Sequence, residues 1–156
     1  MARNVLRPIL LATLVAGTLD ILAATGLTLF YARRTVADML RGVASGPFPA
    51  ATDWGAKGAA LGLAVHFTLM AVMAAVFVLA AARLRPLWQK PLLWGLLYGL
   101  ATYIVMNLIV VPLRFAGAFP PSLRSVVTQL FCHIFLVGIP IALIAARHFR
   151  RRSAFA

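Results

Sequence analysis

Four apolar runs dominate the hydrophobic pattern: Ile9–Tyr31, Gly58–Ala82, Pro91–Leu113 and Val126–Arg147. Each is interrupted in its interior by one strongly polar residue, Asp20, His66, Asn107 and His133 in turn. A helix rises about 1.5 Å per residue and the hydrocarbon core of a bilayer is about 30 Å thick, so each run is long enough to cross it. Short connections between consecutive runs make neighbours antiparallel. The predicted fold is therefore all-α: one integral-membrane domain, an up-down-up-down four-helix transmembrane bundle. The first connection, Ala32–Lys57, is the only long one. In it Thr35 is followed three residues later by Asp38, a capping pattern with Asp in the usual place of Glu. Val36, Met39, Leu40 and Val43 would then share one apolar face, which predicts a short interfacial helix over Val36–Ala44. Ser45-Gly46-Pro47-Phe48-Pro49 breaks it. Gly117, Pro120 and Pro121 predict a tight, non-helical third connection.

Close helix approach is also written into the pattern. Lipid tails provide no hydrophobic drive between helices, so small residues mark packing faces. The first run has Thr13, Gly17, Asp20 and Ala24 at helical spacing. The second opens with Gly58-Ala59-Ala60-Leu61-Gly62, and the third contains Gly95-Leu96-Leu97-Tyr98-Gly99. Pro112 and Pro140 remove backbone donors. Pro140 predicts a kink that frees a carbonyl about one turn earlier, near Leu136.

Composition supports the membrane reading. Of 156 residues, 63% are hydrophobic and the mean hydropathy is +0.95. A soluble domain cannot hide that much apolar surface. Arg3 and Arg7 precede the first run as in a signal peptide. The run is too long for that, carries Asp20 at its centre and closes without a small-residue cleavage site, so a retained first helix is expected.

A net charge of +12 would point to nucleic acid in a soluble protein. Here the cations lie between and beyond the apolar runs. A bilayer with anionic headgroups is therefore the expected partner, and nucleic acid is not. One side holds Arg3, Arg7, Arg83, Arg85, Lys90, Arg147, Arg150, Arg151 and Arg152. The other holds fewer: Arg33, Arg34, Arg41, Lys57, Arg114 and Arg124. The positive-inside rule then puts both termini in the cytoplasm. Trp54 falls near the outer interface, and Trp88 and Trp94 near the inner one. The tail His148-Phe149-Arg150-Arg151-Arg152 reads as a headgroup anchor.

The interior polar residues fall at similar depths. Counting from the outer ends of their helices, His66, His133 and Asn107 lie roughly 12, 10 and 9 Å down, and Asp20 roughly 16 Å. Met70 and Met73 share a face with His66, Tyr103 with Asn107, and Gln129 with His133, so these four are the expected supporting residues. Charged and polar groups are costly in a membrane and need a partner or a purpose. The first reading is helix cross-linking by hydrogen bonds. Three alternatives use the same layer: His66 and His133 as axial ligands of a b-type haem, a proton or cation pathway through Asp20, His66 and His133, or a His/Met site for copper(I). No cofactor is the expectation, and His66 and His133 are the ligands if a metal is held.

No enzyme chemistry stands out. Glu is absent and only Asp20 among the three acids is buried in a span, so paired carboxylates are missing. Neither a phosphate loop nor a Ser/His/Asp arrangement is present. The single cysteine, Cys132, excludes an intramolecular disulfide and a Cys-based zinc site. The expected function is a non-enzymatic accessory or structural membrane component, with a small redox or transport protein as the alternative.

Gly17 through Ile21, Leu40 through Gly46, His66-Phe67 through Met73, and Tyr98-Gly99 through Asn107 form one set of stretches. With Val111-Pro112-Leu113, His133 and Gly138-Ile139-Pro140, they resemble a group of small, uncharacterised four-span bacterial inner-membrane proteins. The resemblance implies a multi-pass topology and a bacterial inner membrane. It carries no activity.

Overall fold

A computed structural model describes residues 4–31, 34–118 and 120–153. Arg3 and Arg33, two of the cations used to orient the chain, lie outside the described residues, as do the first residue of the long connection, Ala32, and the side chain of Arg152. The helices in chain order are α1 (Leu6–Tyr31), α2 (Val36–Ala44), α3 (Gly55–Arg83), α4 (Arg85–Gln89), α5 (Pro91–Arg114) and α6 (Leu123–Arg151). Four of them, α1, α3, α5 and α6, are long and apolar enough to cross a membrane.

Most of these helices overrun the apolar runs that predict them, because backbone hydrogen bonding does not stop where hydrophobicity does. α1 takes in Arg7 and Pro8. Proline in a first turn forfeits only an N–H that has no helical partner. α6 begins early because Ser122 caps it, its hydroxyl accepting from Ser125 N–H at 3.2 Å. α6 also continues through Arg147 into the basic tail. There Arg150 donates to the carbonyls of Trp88 (3.2 Å) and Gln89 (2.8 Å), satisfying the carboxyl end of α4. One arginine assigned to a headgroup anchor thus fastens the second connection to α6.

α2 forms where the capping pattern places it. Asp38 N–H donates to the Thr35 hydroxyl (3.1 Å), and Thr35 N–H donates back to the Asp38 carboxylate (3.0 Å). Arg41 pairs with the same carboxylate one turn on. Bonded by the Thr35 hydroxyl, the Thr35 N–H and Arg41, the exposed Asp38 carboxyl is held below its ordinary pKa. α2 packs on the first turns of α3 through the Gly58/Gly62 pair. A Cβ on Gly62 would collide with the Leu40 carbonyl, and one on Gly58 with that of Ala51. This small-residue motif therefore receives the loop helix. Arg114, at the end of α5, closes the corner by donating to the carbonyls of Gly46 (2.7 Å) and Ser45 (2.9 Å).

The second such pair, Gly95 and Gly99, receives α6. A Cβ on Gly95 would come within 2.8 Å of Ile139 Cα, and one on Gly138 would collide with the Gly95 carbonyl. Gly95 meets Ile139 and Ala142 while Gly99 meets His133 and Ile134, so α5 and α6 run antiparallel. α1 and α6 also run antiparallel: the Arg124 guanidinium stacks over Tyr31 (5.0 Å), and Arg7 and Leu11 sit beside Arg147 and Ile144.

The apolar core gathers Ala12 and Ala16 from α1, Met70, Met73, Ala74, Phe77, Val78 and Ala81 from α3, and Val137, Ile141, Ala142, Ala145 and Phe149 from α6. It lies on the terminal side of the polar residues. Leu22, Phe30, Val72, Leu92 and Leu113 point outward with more than half of each surface bare, the arrangement a lipid-facing surface requires.

Candidate functional site

Both Pro112 and Pro140 follow a widened stretch of helix, Ile104–Val110 in α5 and Cys132–Gly138 in α6. There the chain adopts π-helical turns: Val111 N–H bonds the carbonyl of Met106, and Ile139 N–H that of Ile134, five residues back. A proline ring clashes with the carbonyl four residues earlier, here Leu108 and Leu136. Opening the preceding turn is one way to relieve that clash. The predicted disturbance near Leu136 thus takes the form of a wide turn, and α5 has its counterpart. The widened stretches contain Asn107 and His133.

Those two residues bond each other. The Asn107 amide N–H donates to His133 Nε2 at 2.9 Å. His133 Nε2 is then an acceptor, which places the ring proton on Nδ1. Nδ1 faces the Thr102 hydroxyl at 3.4 Å, and Thr102 in turn donates to the Gly99 carbonyl at 2.9 Å. Residues five apart diverge around a regular helix. The wide turn starting at Ile104 swings Asn107 back toward Thr102, so α5 holds both ring nitrogens of one histidine. Tyr103 closes the side, edge-on to the imidazole with ring centres 6.0 Å apart. His133 is buried, and this chain of donors and acceptors is complete with a neutral ring.

Asp20 and His66 form the other pair, between α1 and α3. His66 Nε2 lies 2.9 Å from the Gly17 carbonyl. A carbonyl only accepts, so Nε2 carries a proton. Nδ1 faces the Asp20 carboxylate across 4.0 Å, longer than a direct hydrogen bond. Asp20 keeps 21% of its side chain exposed against 9% for His66. Gly17 allows this approach: a Cβ there would press on the Phe67 ring at 2.7 Å. With Nε2–H committed to Gly17, Nδ1 is the ring nitrogen left facing the carboxylate.

The layer read from sequence, three nearly level residues with Asp20 about one turn deeper, is therefore two pairs. Among the described residues no hydrogen bond joins Asp20–His66 to Asn107–His133. Of the supporting residues, Tyr103 takes its expected place. Gln129 does not: it is exposed, because the turn of α6 that buries His133 points it outward. Met70 and Met73 lie in the apolar core with Ala12, Ala16 and Phe77. Sequence reasoning missed Thr102 and the Gly17 and Gly99 carbonyls. Thr102, a polar residue inside an apolar run and next to Tyr103, was a readable signal. The carbonyls have none.

The Nε2 atoms of His66 and His133 are both engaged at 2.9 Å, by Gly17 and by Asn107. Among the described residues no three His, Cys, Asp or Glu side chains converge as metal ligands would. No protein-family model, curated protein or solved structure matches this chain.

Proposed function

We propose that this chain is a small, non-enzymatic, multi-pass protein of the bacterial inner membrane, an accessory or structural component whose polar layer fastens its spans in pairs. In this reading it folds as one domain, an up-down-up-down bundle with both termini cytoplasmic and α2 in the outer interface. The half-buried apolar face of α2 and the bias of cations toward the terminal side support that placement. The resemblance to small four-span bacterial proteins supports the location.

One observation carries the functional reading. Polar side chains inside the spans engage another helix: His66 reaches α1, and Asn107 and Thr102 on α5 hold His133 on α6. Interhelical hydrogen bonds in membranes contribute about 0.6 kcal/mol each on average. A double-mutant cycle on Asn107→Ala and His133→Ala, read by equilibrium unfolding in bicelles, tests it. A favourable coupling of about 0.5–1.5 kcal/mol is expected. Zero coupling would remove the support.

A second reading, proton movement, is favoured by the Asp20–His66 edge alone. Its test is proton flux in proteoliposomes. Flux above that of protein-free vesicles, abolished by Asp20→Asn with the fold retained, would replace the structural reading with a transport one.

A further inference from the structure

The amino end of α1 and the carboxyl end of α6 enclose a cavity of about 470 Å³, lined by Asn4, Arg7, Pro8, Leu11, Ile144, Arg147, His148 and Arg151. Arg7 comes from one end of the chain, and Arg147 and Arg151, one helical turn apart, from the other. Three arginines thus line one volume, and an anion there would offset their mutual repulsion. No acidic side chain of this sequence lies near that volume: Asp20 is deep in α1, and Asp38 and Asp53 are in the first connection. Among the described residues no hydrogen bond or ion pair occupies Arg7, Arg147 or Arg151. Orientation in the membrane alone requires cations on one side of the bilayer. It does not require residues from opposite ends of the sequence around a shared cavity.

The walls say what kind of anion fits. Pro8, Leu11 and Ile144 are its apolar lining residues and belong to the spans, while Asn4, His148 and the arginines are its polar ones. A guanidinium matches phosphate oxygens through paired N–H donors. A polar phosphate above an apolar glycerol and acyl chain matches this division.

We propose that this cavity binds the phosphate of an anionic phospholipid, with the acyl chains running along α1 and α6. The site rests on the membrane reading and extends it from a diffuse basic surface to a defined headgroup position.

The test uses the full chain purified in a neutral detergent, with thermal unfolding followed as phosphatidylglycerol, phosphatidylcholine or inorganic phosphate is added. Phosphatidylglycerol should stabilise the protein more than phosphatidylcholine does, and inorganic phosphate at the same concentration should not substitute. The Arg7→Gln/Arg147→Gln variant should weaken the phosphatidylglycerol midpoint about tenfold, as expected for lost charge-assisted contacts. Arg85→Gln/Lys90→Gln, which removes equal charge from the second connection, should leave the midpoint unchanged. Equal weakening in both variants would reduce the site to diffuse attraction and overturn the proposal. So would the absence of any phosphatidylglycerol preference. Saturation by inorganic phosphate would overturn the lipid source. Both variants change exposed side chains, and circular dichroism confirms their fold. Chain recovered in the soluble fraction without detergent would instead overturn the membrane reading.

Discussion

His66 and His133 look equivalent in the sequence, each a lone histidine a few turns into an apolar run. Their neighbours make them opposite. Asn107 donates to Nε2 of His133, so its proton sits on Nδ1; the Gly17 carbonyl accepts from Nε2 of His66, so its proton sits there. Nitrogen-15 spectra of histidine-labelled protein should therefore show two different tautomers. Asn107→Ala should perturb the His133 signals and leave those of His66 in place. Identical tautomers, or a His66 response to Asn107→Ala, would break the division into two pairs. Which residues were polar, and roughly how deep, was legible in the sequence. The partners were not. Gly17 and Gly99 act through backbone carbonyls, which every residue has. Gln129 shares a helix face with His133 by count, yet the local turn exposes it.

At the scale of elements, the small-residue motifs were legible as close-approach faces, but their partners were decided by tertiary placement. Gly58 and Gly62 receive α2, whereas Gly95 and Gly99 receive α6. Gly62→Ala should cost about 1–3 kcal/mol through overpacking against the Leu40 carbonyl, and should displace α2. Gly138→Ala should cost a similar amount at the α5–α6 contact. Gly26→Ala has open space and should be neutral or slightly stabilising. Comparable losses at all three positions, measured by unfolding in one detergent, would contradict these assignments.

α2 itself was readable because its cap is local: Thr35 and Asp38 satisfy each other three residues apart. The wide turns before Pro112 and Pro140 were not, since proline marks a disturbance without specifying its form. α2 should also show a pH signature. Asp38 is held below its ordinary pKa, first by the Thr35 hydroxyl, so the cap stabilises α2 fully above the ordinary carboxylate value. That contribution is lost only as pH falls through the lowered value. Thr35→Ala should return the Asp38 pKa toward normal and speed hydrogen exchange of the α2 amides. An unchanged Asp38 titration would contradict the cap's role.

For the whole molecule, four helices long and apolar enough to cross a membrane were legible from run length alone. The connections hold more order than their sequences advertise. α4 sits within the second, capped by Arg150, and Arg114 ties the end of α5 to the turn after α2. These clamps fix the two ends of the bundle, with the polar pairs nearer one and the basic cavity at the other. The outer placement of α2 and the side of the membrane that the basic cavity faces both depend on which end of the bundle lies in the cytoplasm. The direct measurement is labelling of single cysteines in a Cys132→Ala background by a membrane-impermeant maleimide on intact cells. Ala50→Cys should label at once, and Ser153→Cys only after permeabilisation. Labelling of Ser153→Cys from outside, with Ala50→Cys protected, would contradict the orientation on which the account stands.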